Sequence, residues 1–513
     1  MPRSSADCSM QFQFNADYPG VAPDGSPYEP TAHPPLEFPP AQPLPCARIT
    51  TRVFHPKRNQ VATVQNVLVR TDSVAAAAAG GGDDVSWSSD DSSTSSDASM
   101  EDATGGRPPT QPSQSSQQQQ QQSPQEIRAY WVQRTVREAI YGRVLLAVVL
   151  RQRTPSEAAN DNAEWEVTDH HCAVKEMSWQ HIRKERDRLA EDPIKEVSAM
   201  QYLKKWHAMA TQHSQANVVQ SFQAILETNI MMPLDLLSDD RHLYSVMPYC
   251  DGGELFERLD LNERFPEAEA RYWMFQVLNV GESRKQKRRS KVLLQSFFIS
   301  YYDCDSFQGL ENLQNAGITH RDMSLENLLV HQSGALIIDM GMCLRVPFQE
   351  EVSGLSTSFG NMTMNGTPNP STSPPQSVGL ARRSRPRHLI VPQGTCGKWI
   401  YMSPEIYKNQ KAFDGFAVDM WAAGVILFLM LTGFPPWERA CQTDERFRYM
   451  TAGYLVQMLT EWDLGLSSDA MDLLQRMLFL DPKDRLSLDQ VRAHPWMVNG
   501  PMQPPLSNPG QTF

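Results

Sequence analysis

The chain has 513 residues and a formal net charge of -12, with 47 Lys plus Arg against 59 Asp plus Glu. An acidic balance of that size argues against general nucleic-acid binding, and the length allows about three domains at ~150 residues each. The eight cysteines form no CxxC pair and no small disulfide frame, which suits a reducing, intracellular compartment, cytoplasmic or nuclear. No basic start leads into an apolar run and a cleavage site, so no secretory signal is read. The longest apolar run, Met420 to Leu431, falls short of the ~20 residues of a bilayer span and reads as a buried helix.

Residues 1–126 read as a disordered, low-complexity region. Pro34 to Pro45 is proline-dense and favours an extended polyproline path, a candidate docking segment for partners. Ala75–Ala79 runs into Gly80–Gly82, Ser88 to Asp102 is Ser and acid, and Gln117–Gln122 is a glutamine tract. Such composition buries too little to offset the chain entropy of ordering. Arg48 to Arg70 alternates Val and Ile in part and stands apart as a strand or docking segment, yet a solvated tail is the favoured reading.

From Ile127 apolar and charged residues alternate. Ile140 to Ala147 surrounds a lone Gly142, and Cys172-Ala173-Val174-Lys175-Glu176-Met177 is an apolar strand with one lysine. Glu196 with Met200 and Leu203 has helical spacing, and the polar stretch between Leu150 and His170 reads as a long hairpin loop. Leu243 to Phe256 is a strand followed by Pro248, Cys250, Gly252 and Glu254. Glu267 to Leu278 repeats apolar residues at helical spacing. His320-Arg321-Asp322 is followed after four residues by Asn327, and Asp339-Met340-Gly341 comes after a short strand. Gly394 to Glu405 ends in Ser403-Pro404-Glu405. Beyond it stand Asp419, Gly424, Arg485 and His494-Pro495-Trp496.

In this order the motifs resemble the eukaryotic protein kinases of Ser/Thr type, over roughly residues 127–497. The resemblance implies an α+β, bilobal fold: a small lobe of antiparallel sheet with one helix, and a larger, mainly helical lobe. Residues 498–513 read as a C-terminal tail. It also implies ATP and Mg2+ as cofactors, with Mn2+ as an alternative ion, and protein Ser/Thr hydroxyls as acceptors. Lys175 would hold the α- and β-phosphates and pair with Glu196. Val144, Ala173 and Leu329 would sandwich adenine, Met247 would guard the back of the pocket, and Pro248 and Cys250 would offer backbone groups. Glu254 would reach the ribose. Asp322 would accept the substrate proton, while Asn327 and Asp339 would hold the metal. Arg321 is the kind of arginine that receives an activation-loop phosphate, with Thr395 and Ser384 as candidate acceptors. Asp419 would brace the catalytic loop, and Arg485 would pair with Glu405 in a buried, structural role.

Four departures stand against the pattern. Arg137 and Ala139 occupy the first two positions of the glycine-rich loop, leaving Gly142 alone to approach phosphate. Met340 replaces the usual Phe of the metal-binding turn, keeping its bulk. Ser324 replaces the catalytic-loop lysine, and Lys398 stands where the partner threonine belongs. We therefore expect an exchange, in which Lys398 reaches back and supplies the missing cation. Finally, residues 280–308 interrupt the helix that runs toward His320. Val280-Gly281-Glu282 and Phe307-Gln308 can be encoded with splice-donor and splice-acceptor ends, which favours a retained intron over a translated loop, whose basic run Arg284 to Arg289 would read as a nuclear-import or anion-binding patch; cDNA sequence across codons 270–320 decides it. Residues 350–390 read as a disordered insert that ends in a basic cluster, Arg382 to Arg387. The alternative to an active kinase is a catalytically weak pseudokinase that binds or regulates a partner.

Overall fold

The computed structural model describes residues 18–19, 31–71, 128–278, 309–352 and 385–505, apart from positions 160, 187, 190 and 212–217. These residues form an α+β structure of two lobes, one built on a sheet and one on helices. The segment 280–308 and the centre of the 350–390 insert lie outside the described residues.

The small lobe is a closed, seven-stranded barrel. A short strand β1 (Ala32–His33) stands outside it, and the barrel begins with β2 (Leu44–His55) and β3 (Gln60–Arg70). Then come β4 (Arg128–Ala139), β5 (Gly142–Gln152), β6 (Trp165–Ser178), β7 (Asp235–Ser238) and β8 (His242–Pro248). The order is β2-β3-β4-β5-β6-β8-β7, and β2 closes it by parallel pairing with β6 and β7. The β2–β3 hairpin turns at Pro56 to Asn59, where Asn59 takes the left-handed conformation (φ 51°) that asparagine tolerates.

This hairpin corrects the assignment of residues 1–126 to a region without a core. Val53, Val64, Val67 and Val69 are buried, packed with Ala129, Leu150 and Trp165 from strands beyond Arg128. A two-stranded hairpin is at best marginal alone, and the surrounding Ser, Gln and Pro runs dilute its apolar residues in any composition average. The four valines acquire a partner face only when β4, β5 and β6 close on them. Pro34 to Pro45 likewise lies along the folded domain, with Ala41 and Gln42 bonded to the helix that carries Glu196. The long hairpin loop expected between Leu150 and His170 is also shorter than read. Helix α1 (Pro155–Ala158), capped by Thr154, follows β5, and β6 is under way from Trp165.

After β6 come α2 (Trp179–Glu185), α3 (Pro193–Thr211) and α4 (Val218–Glu227). The helical lobe opens with α5 (Leu255–Asn262) and α6 (Glu267–Leu278). Helix α7 (Gly309–Ala316) resumes where α6 stops. A Cβ on Gly309 would lie 2.2 Å from the Val277 carbonyl oxygen, so the two described ends of the interruption meet in space. Gly309 has φ 52°, the left-handed value that lets the chain turn back into the helix at that contact.

Beyond α7, β9 (Ile318–Thr319), β10 (Leu328–His331), β11 (Gly334–Ile337) and β12 (Leu344–Arg345) form two small ladders around the catalytic loop. A further short strand, β13 (Leu389–Ile390), pairs in parallel with β1. Helix α8 (Pro404–Lys408) precedes the central helix α9 (Gly415–Thr432), which is capped by Asp414 and stopped by Gly433 at φ 81°. All of α9 is buried, the core-helix outcome expected of its apolar run. Arg387 differs from a solvated loop residue: it donates to both Asp414 oxygens, and both side chains are buried.

Candidate active site

The cleft between the lobes is lined by one face of the sheet. In an antiparallel ladder directly paired residues share a face, as do residues two apart. Val144 pairs with Lys175, and Ala173 pairs with Met247. Val144, Ala173, Lys175 and Met247 therefore project together, and each is half-buried while its strand neighbours Leu145, Val174 and Val246 are buried. From the other lobe, Leu329 on β10 is half-buried too. The hinge is tied to that strand. Gly252 donates to the Val330 carbonyl, Val330 donates to Gly253, and a Cβ on Gly252 would lie 2.7 Å from the Val330 oxygen. Pro248 and Cys250 lie on this hinge; Pro248 ends β8 and offers a carbonyl but no N–H.

Lys175 Nζ stands 2.7 Å from Glu196 Oε2 and 2.9 Å from Oε1, with Glu191 at 3.9 Å. Burial pulls the Lys175 ammonium down. Glu196, Asp339 and Glu191 together outweigh that and hold it above its ordinary value, so it stays charged. Glu196 lies in the first turn of α3, and Met200 and Leu203, at helical spacing further along it, are both buried.

The catalytic loop is braced from beneath. Asp419 accepts from the backbone N–H of His320 and of Arg321, each at 2.8 Å. His320 accepts at Nδ1 from the Asp322 N–H, and its Nε2 lies 2.9 Å from the Ile338 carbonyl, so the proton sits on Nε2. Ser324 caps the 3-10 turn Leu325–Asn327. Asn327 Nδ2 donates to the Asp322 carbonyl at 2.7 Å and to its carboxylate at 3.0 Å. Burial, opposed by Lys398 and His320, leaves the Asp322 carboxyl above the usual range.

Lys398 comes to the same place from the segment before α8. Its Nζ donates to Ser324 Oγ at 2.7 Å, and its backbone N–H lies 3.3 Å from Asp322 Oδ1. The ammonium also stands 3.8 Å from Glu326. Gly397 permits this approach. It has φ 86°, and a Cβ there would lie 3.0 Å from Asp322 Oδ1.

A divalent cation fits the donor set. Oxygens of Glu191, Glu196 and Asp339 lie within 4.8 Å of one another, and Lys175 is the cation acting on both glutamates. The Glu191 carboxyl is pushed up to about 7 by burial and then by Asp339. Carboxylate oxygens suit a hard cation, and Asp339, one of the two residues that the resemblance implies for the metal, lies in this cluster.

Some features escape sequence reasoning. Arg137, at the first glycine position, bonds Glu254 across the cleft at 3.1 Å. The loop between β4 and β5 is only Ile140 and Tyr141, and Tyr141 is buried with its hydroxyl on the Glu191 carbonyl. Gly142 is required by packing, since a Cβ would lie 2.0 Å from the Glu176 oxygen; that contact accounts for the glycine without any phosphate. Arg321 donates to the carbonyls of Met342 and Gly394. None of these pairings has a local spacing signal. Thr395 is exposed, and Ser384 lies outside the described residues.

Comparison with known proteins agrees with this geometry. A protein tyrosine and serine/threonine kinase model matches residues 170–359, and a protein kinase domain model matches residues 378–497. Human serine/threonine-protein kinase DCLK3 is 28% identical over 277 residues, 54% of this chain and 32% of that protein. The probable serine/threonine-protein kinase fhkD of Dictyostelium discoideum is 26% identical over 313 residues, 59% and 33% respectively. Calcium/calmodulin-dependent protein kinase cmkB of Emericella nidulans is 28% identical over 273 residues, 53% and 51%. The chain thus spans about a third of the first two relatives and half of the third. With the two lobes, the Lys175–Glu196 pair and the braced loop at Asp322, these matches show that the chain belongs to the eukaryotic protein kinase superfamily.

Proposed function

We propose that this protein is an ATP- and Mg2+-dependent protein kinase acting on Ser or Thr hydroxyls, in intracellular signalling in the cytoplasm or nucleus. The observation that carries the reading is the Lys398–Ser324 contact beside Asp322, because it restores a cation at the position where the resemblance lacks one. Bound ATP supplies the transferable phosphoryl group. The chain's own residues position and stabilise: Lys175, held by Glu196, presents a charged ammonium to phosphate oxygens. Asn327 and Asp339 would hold the metal. Asp322, oriented by Asn327, accepts the acceptor hydroxyl's proton. Lys398 faces the charge that develops on the transferred group, the kind of stabilisation that carries most of phosphoryl transfer.

The second reading, a weak or inactive kinase that serves as a binding module, is favoured by one observation, the Arg137–Glu254 pair across the cleft mouth. The Arg137 side chain is 67% exposed, so that pair is weak and yields to a ligand at little cost. Transfer of γ-phosphate from labelled ATP to mixed peptides, with Asp339→Ala as control, separates the two readings. We expect signal from the unsubstituted chain alone. Equal signal from both proteins leaves the binding-module reading in place.

A further inference from the structure

Residues 31–43 precede the barrel in the chain and touch the activation segment, β12 and α3 in turn. At one end β1 pairs in parallel with β13 of the activation segment: Leu389 donates to the Thr31 carbonyl at 3.0 Å and Val391 to the His33 carbonyl at 3.2 Å. Leu36 then donates to the Arg345 carbonyl at 3.1 Å, and Arg345 returns a bond to the Glu37 carbonyl at 2.6 Å. Arg345 lies just after the Asp339 turn, on β12. Phe38 meets Tyr202 of α3 edge-on at 5.8 Å, with the Arg345 guanidinium 4.9 Å from the Tyr202 ring centre. Finally Ala41 donates to Ser198 Oγ at 3.1 Å. Gln42 and Gln201 exchange two bonds, its N–H to Oε1 at 2.9 Å and Nε2 to its carbonyl at 3.1 Å. The chain then enters the barrel at Leu44, paired with Leu237.

The faces of α3 give this path a meaning. Ser198, Gln201 and Tyr202 are spaced i, i+3 and i+4 and lie on one side of the helix; Glu196, Met200 and Leu203 lie on the other. The strap therefore grips the back of the helix whose front holds Lys175. Its prolines, at 34, 35, 39, 40 and 43, pre-set an extended path and reduce the entropy lost in laying it down. Arg321 bonds the Gly394 carbonyl in the segment that β1 also pins. Bonds from α3 side chains to the backbone of residues 41 and 42, and backbone bonds from residues 389 and 391, thus hold α3 and the activation segment in the arrangement seen.

We infer that residues 31–43 are an in-cis positioning strap, which holds Glu196 on Lys175 by clamping Ser198 and Gln201 and pins the activation segment through Leu389–Ile390. The partner of the proline-rich stretch is then the kinase domain itself. This inference rests on the kinase reading only for its effect on turnover.

The test uses the full chain carrying Ser198→Ala and Gln201→Ala. Alanine keeps the helix and removes every side-chain bond from α3 to residues 41 and 42. We expect kcat to fall about tenfold or more, the scale of a small misplacement of a positioned group, with the thermal midpoint little changed. In a Glu196→Gln background the same pair of substitutions should change kcat less than about twofold, because the group through which the strap acts is already gone. An equal fractional loss in both backgrounds, or no loss in either, overturns the strap. Hydrogen exchange decides it independently of any activity: amides of α3 and of residues 388–391 should exchange faster in the double variant. Unchanged exchange there overturns the inference. Absence of phosphoryl transfer from the unsubstituted chain overturns the kinase reading instead, and exchange still judges the strap.

Discussion

Ser324 is buried and takes on two tasks at once. Its hydroxyl accepts from the Asn327 N–H and from Lys398. A lysine at position 324 would bring its own charge but no cap for the Asn327 turn. Placing the cation on Lys398 keeps both. The arrangement separates two outcomes. Lys398→Met should lower kcat by about 10²–10³, the loss on removing one transition-state donor, with ATP affinity nearly kept because Lys175 and the hinge are untouched. Steady-state kinetics with varied ATP measures both, and near-normal kcat would end the exchange argument. Lys398→Thr should lose turnover in the same way, and adding Ser324→Lys should recover part of it. The motif alone announces a gap at Ser324 and a spare lysine at Lys398. No helical or strand period links residues so far apart, so the expected exchange rests on the resemblance, and the structure adds the contact itself, at 2.7 Å.

At the scale of elements, the β2–β3 hairpin belongs to the kinase domain as fully as β4 to β8. Leu68 is wholly buried in the main core cluster, with Tyr130, Val149 and Leu237 from three other strands. Leu68→Ala should therefore cost about 3 kcal/mol by lost transfer and cavity terms, read as a lower denaturant midpoint at unchanged slope. A hairpin lying outside the cooperative core would show no such loss. The helices and strands of the site were largely legible. The Lys175 strand, the Glu267–Leu278 helix and the buried helix around Met420–Leu431 all carry strong periodic or apolar signals. The hairpin was not, since its valines alternate only in part between low-complexity runs. Its burial depends on strands that come more than fifty residues later in the chain.

Across the whole molecule, long-range polar pairs lock the helical lobe. Arg485 forms a bidentate pair with Glu405, at 2.6 and 2.9 Å, and stacks its guanidinium 4.7 Å from the Trp421 ring. Breaking such a buried pair by removing one partner leaves a charge without compensation. A second lock is open to pH. His494 accepts the Trp496 N–H at Nδ1, capping the helix Pro495–Asn499, so its Nε2 donates to Asp472 at 3.0 Å. That bond, with help from Arg476 and against burial, holds the Asp472 carboxyl below its ordinary 3.8. A depressed carboxyl adds stability above its unfolded pKa and loses it as pH falls through the folded value. The difference in stability between the unsubstituted chain and Asp472→Asn should accordingly be full near neutral pH and shrink below about pH 4. Denaturant unfolding at several pH values reads it, and a pH-independent difference would contradict the assignment.

What the sequence by itself determined was the set of motifs and their order: a strand lysine, a helix glutamate, a loop Asp and Asn, an Asp339-Met340-Gly341 turn. Each is marked by spacing within a few residues, where backbone geometry alone decides which side chains share a face. Only the tertiary structure decided the partnerships across the chain. It set Arg137 on Glu254, the valine hairpin in the barrel, and the proline-rich stretch on the back of α3. Those pairings arise from closure of a sheet and packing of a lobe, which bring distant residues together at no fixed interval. Local periodicity has no means of encoding them.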